Sequence, residues 1–155
     1  MKITTSIFLF FLSATVHARI GETLEESVAR YGPVIKEGTR GTIFKKGDFD
    51  LQVHFFEGKA DYLCIIKDPS AASPDFTMDE IESLVASNLE GMKYSRQNEG
   101  KKFVYLTPFA KIGAVYDPSD KSLTIMSDEY VKRNKEAAQA RGETHTPTPA
   151  STSGF

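Results

Sequence analysis

Apolar positions along this chain fall first on a helical period and then on a two-residue period, and the change happens twice. Between Gly21 and Pro33, Leu24, Val28 and Tyr31 recur four and three apart, which places them on one helical face expected to pack inward. Thr23 and Glu26 form a capping box at the start of this predicted helix, and Gly32-Pro33 stops it. Residues 42–45, 49–56 and 59–67 then read as strands, the last two joined at Glu57-Gly58. Within the second, Phe49, Leu51, Val53 and Phe55 alternate with Asp50, Gln52, His54 and Phe56, the pattern of a strand buried on one face. The third, with Tyr62-Leu63-Cys64-Ile65-Ile66 at its centre, is apolar on both faces and predicts a central strand.

A loop over residues 68–74 leads to a second capping box, Thr77 with Glu80, flanked by Phe76 and Ile81 as a hydrophobic staple. The helix it opens runs to about residue 89, with Ile81, Leu84, Val85 and Leu89 as its buried face and Gly91 as its stop. Strand-like runs follow at 93–96, 103–107, 112–116 and 122–126, with a turn over 117–120 between the last two, and a polar helix over 128–141 closes the domain. The two capping boxes stand 54 residues apart and each precedes a meander. They mark a degenerate tandem repeat of a helix-plus-meander unit, although capping boxes also recur by chance. Two such units side by side predict an α+β domain: one antiparallel sheet with helices packed on one face.

The first eighteen residues do not belong to this pattern. Lys2 precedes an apolar run over 3–16, and Val16-His17-Ala18 supplies a small-residue cleavage site, so a secretory signal peptide is expected, with the cut between Ala18 and Arg19. The run is shorter than the roughly 20 residues of a spanning helix, and no second apolar run follows, so no membrane span is expected. The sole cysteine, Cys64, lies inside the domain, which leaves none for a lipid anchor beside the cut and none for an internal disulfide. The expected domain covers residues 19–141, followed by a Thr-, Ser- and Pro-rich tail over 142–155 that has little to bury. Phe155 resembles the last residue of an outer-membrane barrel strand, but the preceding alternation is missing. The location implied is secreted or periplasmic.

Charge and chemistry narrow the function. Lys and Arg are interleaved with Asp and Glu at a formal net charge of −2, without the basic clustering that nucleic acid requires. Outside the leader only His54 and His145 remain, too few and too scattered for a zinc site, and no cofactor motif is present. Cys64 lies among apolar neighbours, as a buried small hydrophobe does, and Gly-x-Ser-x-Gly is absent. Glu25-Glu26, Asp79-Glu80 and Asp128-Glu129 all occupy predicted first helical turns, where the helix dipole accounts for them. The run Lys132-Arg133-Asn134-Lys135 reads as a solvated helix face. A non-enzymatic protein is expected. Eleven Phe and six Tyr are the surplus. Phe56 should point opposite to Phe55, and Phe103 and Tyr105 opposite to Val104 and Leu106, so His54, Phe56, Phe103 and Tyr105 form the candidate interaction surface if one sheet face stays open. The competing account places these rings under loops or the last helix.

Gly21-x-Thr23-x-x-Glu26-x-Val28-x-x-x-x-Pro33, with Leu51-x-Val53-x-Phe55-x-x-Gly58-Lys59 downstream, resembles the helix-then-meander signature of the SmpA/OmlA-like proteins. That group includes the small lipoprotein subunit of the outer-membrane barrel-assembly machine, and the β-lactamase-inhibitor protein shares its fold as a tandem repeat. The resemblance covers residues 20–66, and it departs from the family where Pro33 directly follows Gly32 and where the lipid-attachment cysteine is absent. It implies a fold used outside the cytoplasm to bind other proteins, with no catalytic residues to transfer. The expected function is an exported protein-binding module at the cell envelope or outside the cell. A small-molecule carrier with an apolar pocket is the alternative, and an enzyme stands behind both.

Overall fold

The computed structural model describes residues 19–89, 92–108 and 111–142. The expected signal peptide with Ala18, and all of the expected tail except Gly142, lie outside these residues. Each half of the domain is a helix followed by a four-stranded antiparallel meander. The first comprises α1 (Leu24–Tyr31), β1 (Lys36–Gly38), β2 (Gly41–Lys46), β3 (Phe49–Phe56) and β4 (Lys59–Lys67). The second comprises α2 (Met78–Asn88), β5 (Ser95–Glu99), β6 (Lys102–Leu106), β7 (Ile112–Asp117) and β8 (Ser122–Ser127), and α3 (Asp128–Ala140) follows. All eight strands join one sheet in the order β1-β2-β3-β4-β8-β7-β6-β5, and every neighbouring pair is antiparallel. The protein is therefore an α+β domain.

The seam between the halves is the β4–β8 ladder, centred on Cys64 opposite Thr124. A local two-fold rotation there carries Leu63 onto Leu123 and Ile65 onto Ile125, and all four side chains are buried on the same sheet face. That face continues through Phe44, Leu51 and Val53 on one side and Ala114, Tyr116 and Tyr105 on the other. α1 and α2 pack on it. Tyr31 of α1 meets Phe44 at 5.4 Å between ring centroids, and Ile81 and Val85 of α2 join the same core. Both capping boxes form as predicted, with Thr23 and Thr77 accepting from the N3 amides and Glu26 and Glu80 reaching back.

Several sequence expectations shift by a turn or a face. α1 buries Ser27 and Tyr31, whereas Leu24 and Val28 are 38% and 37% exposed. The helix turns its Ser27–Tyr31 stripe to the sheet, where Tyr31 reaches Phe44, so Leu24 and Val28 on the neighbouring stripes stay outside. β1 has no apolar residue to announce it and forms because Gly41, at a φ of +129°, lets the chain turn back onto β2. Its Cβ position is closed by the Val53 carbonyl, which an added carbon would meet at 2.5 Å. β5 lies two residues later than the predicted run and is polar throughout, a wholly exposed edge strand.

Candidate functional site

On the other sheet face, strand alternation brings His54, Tyr62, Cys64 and Met126 into one area. α3 lies over it. Ser127 ends β8 and caps α3, accepting a bond from the Tyr130 amide at 3.1 Å, so the helix turns back onto the sheet without a loop. The Tyr130 ring then packs 4.7 Å from that of Tyr62 and 5.9 Å from that of His54. Burial pushes both tyrosine hydroxyls up in pKa, and it does the same to the thiol of Cys64, which is 3% exposed.

A bulge in the β3–β4 hairpin supplies the polar part of the site. His54 faces Tyr62 and Phe55 faces Ala60, which leaves Asp61 as the extra residue, free to turn its carboxylate toward α3. The Asp61 side chain is 10% exposed. Its Oδ1 accepts from His54 Nδ1 at 2.7 Å, and its Oδ2 accepts from the Arg133 guanidinium. Arg133 in turn stacks on Phe56, with 3.7 Å from Cζ to the ring centroid. One carboxylate thus ties together β3, β4 and α3. Beside it opens a cleft of about 450 Å³ whose walls include Ile20, Phe56, Glu57, Lys59, Asp61, Glu129 and Arg133. Gly21 lines it too, held there by paired backbone bonds in which Gly21 and Ala60 donate to Ala60 and Glu22 at 2.6 and 2.7 Å.

The four sequence candidates separate onto two faces. His54 and Phe56 come together at this site. Phe103 and Tyr105 alternate with Val104 and Leu106 as expected, but they point into the core, and Tyr105 is 0% exposed. The reason is α2: its Glu82 accepts from the hydroxyls of Tyr94 and Tyr105 at 2.9 and 3.4 Å and from Arg96 at 2.9 Å, closing the sheet beneath it. Phe103 stacks on Tyr116 at 6.2 Å. Phe56, at 42%, is the single exposed aromatic among the described residues.

Asp61, Tyr130 and Arg133 were not singled out from the sequence. Asp61 is the one charge inside an apolar central strand, and such a carboxylate requires a partner. Arg133 stood in a run read as solvated. Among the described residues no cluster of three or more His, Cys, Asp or Glu side chains converges as a metal site, and no helix is long and apolar enough to cross a membrane.

No family model and no curated protein sequence matches this chain. Solved structures similar to it in part include two bacterial proteins. One is a cysteine-rich secretory protein of Staphylococcus aureus, at 11% identity and a TM-score of 0.41, over 72% of this chain and 46% of that one. The other is an extracellular protein of Bacillus anthracis containing an SCP domain, at 14% identity and a TM-score of 0.42, over 86% of this chain and 53% of that one. The chain spans about half the length of these two structures. Likenesses of that degree do not bear on activity, partner or location.

Proposed function

We propose that this chain is an exported, non-enzymatic protein-binding module whose contact surface is centred on Phe56 and Arg133. The observation that supports this reading is the exposed Phe56 ring stacked under Arg133 at the mouth of the cleft. Aromatic side chains and arginine anchor protein contacts, because each presents a large, stiff surface with a polar handle. The cleft favours a protein over an apolar small molecule, since half of its lining residues carry charge. The His54–Asp61 pair fits a structural role, since the same carboxylate also holds Arg133 and so ties the sheet to α3.

The test is affinity capture from envelope and culture-medium fractions of the native host, with wild type beside Phe56→Ser, followed by titration of the purified partner. Loss of roughly tenfold or more in affinity on Phe56→Ser is expected for an anchor residue. Equal affinity for both proteins would move the surface elsewhere, and the absence of any saturable partner would remove the reading.

A further inference from the structure

The geometry points to α3 as a latched lid that opens from the sheet as a unit while the sheet stays folded. Its grip is thin. Of its thirteen residues only Ala138 is buried; Tyr130, Arg133 and Asn134 are half-buried and the rest are exposed. Asn134 spends its amide inside the helix, donating to the Tyr130 carbonyl at 3.0 Å. What remains against the sheet, apart from the Asp128 amide donating to the Lys111 carbonyl at 3.0 Å beside Ser127, is the Tyr130 ring, the small Ala138 side chain and Arg133 held by Asp61 and Phe56. By contrast α2, two residues shorter, buries Ile81, Val85 and Asn88, with Leu89 just beyond it. Elements with few buried apolar contacts open at lower free energy than the core they cover. Ser127, shared by β8 and α3, is the single pivot.

Opening has two consequences. It uncovers the Tyr62, Cys64 and Met126 side chains, and it takes Arg133 away from Phe56, leaving Asp61 with His54 alone. If the contact surface is the one proposed above, the module has a clasped and an open form of it. That consequence rests on the functional reading, whereas the lid motion does not.

Cys64 is the only cysteine in the chain and lies on the covered face, so it reports the motion. The experiment follows its labelling by a water-soluble aromatic disulfide across a urea series, in wild type, Arg133→Ala and Val131→Lys, the last on the exposed side of α3. Wild-type labelling is expected to be nearly independent of urea at low concentration, as befits an opening that exposes little surface. Arg133→Ala should raise the low-urea rate about tenfold or more through loss of a charge-assisted bond, and Val131→Lys should leave it unchanged. Amide exchange on wild type gives a second reading, with α3 amides exchanging together and ahead of those in β4 and β8. The lid is overturned if labelling in every protein follows global unfolding with its full urea dependence, or if α3 exchanges no faster than β4 and β8. A lid that opens in a protein without a partner leaves this inference standing and removes the functional one.

Discussion

Lys67, with its side chain 5% exposed, holds its ammonium 2.7 Å from Oε1 of Glu80 in the first turn of α2. The other oxygen of the same carboxylate accepts from the Thr77 amide at 2.8 Å and closes the capping box. Lys67 also donates to the Asp75 carbonyl at 3.1 Å, and its ammonium lies 5.8 Å from the centre of the Phe76 ring. The end of β4 and the start of α2 are therefore one electrostatic unit across the connecting loop. Glu80→Ala removes the reciprocal half of the capping box, leaving Thr77 as N-cap, and takes the carboxylate partner from a buried ammonium. A loss of about 2–3 kcal/mol in unfolding free energy is expected, below the range for a fully buried pair because Glu80 is about a third exposed. Urea unfolding measures it, and an unchanged midpoint would show that the pair ties nothing together.

Acid should weaken the same junction. Its hydrogen bond to Lys67, followed by that from the Thr77 amide, holds the Glu80 carboxyl below its ordinary 4.5. A carboxylate so depressed contributes stability above the unfolded-state value and loses it as pH falls through the folded-state value. The contribution is complete near neutrality and declines below the ordinary value. Unfolding midpoints taken from about pH 7 to about pH 3 should fall more steeply for wild type than for Glu80→Gln.

Tyr105 provides the alkaline counterpart. Burial first, and the nearby Glu82 charge second, push its hydroxyl up to about 12. A tyrosine raised in this way lends stability below its ordinary value of 10.0 that is lost as pH rises toward the folded value. Absorbance titration of the phenolates should show the Tyr105 component late, and Tyr105→Phe should reduce the loss of stability above about pH 10.

Tyr105 of β6 and Phe56 of β3 should respond to truncation with losses of very different size. Tyr105→Ser opens a cavity in the core and is expected to cost about 3–5 kcal/mol. Phe56→Ser removes an exposed ring and should cost at most about 1 kcal/mol. Thermal unfolding of the two variants decides this, and a severe loss on Phe56→Ser would mean that the Arg133 stack is structural.

Gly41→Ala tests the turn into β2. An added methyl would meet the Val53 carbonyl oxygen at 2.5 Å from a backbone held at +129°. The expected loss is at least about 2 kcal/mol, from strain and overpacking together. The same substitution at Gly58, where nothing lies within 4 Å, carries only the conformational penalty.

Much of the fold was legible because local chemistry and tertiary structure agree. Thr23, Glu26, Thr77 and Glu80 cap helices whatever lies around them, and the alternation in β3 holds because one of its faces meets the core. The hidden parts depend on partners remote in sequence. Nothing in Phe103-Val104-Tyr105-Leu106 states which face α2 will cover, and the choice is made by Glu82 reaching Tyr94 and Tyr105. The site was half visible: His54 and Phe56 stood out by type, while Asp61 and Arg133 acquire meaning only when a bulge and a helix lying far apart in the chain meet.

The seam between the halves has a kinetic consequence. Hairpin pairs such as Glu99 with Lys102 close short loops, whereas Cys64 opposite Thr124 closes a loop of about half the domain. Each meander can zip from its own turns, but β4 and β8 must wait for each other, and the entropy of that one closure falls on the transition state. Substitutions along the seam at Leu63 or Ile125 should therefore slow folding, while those in the outer hairpins should mainly hasten unfolding.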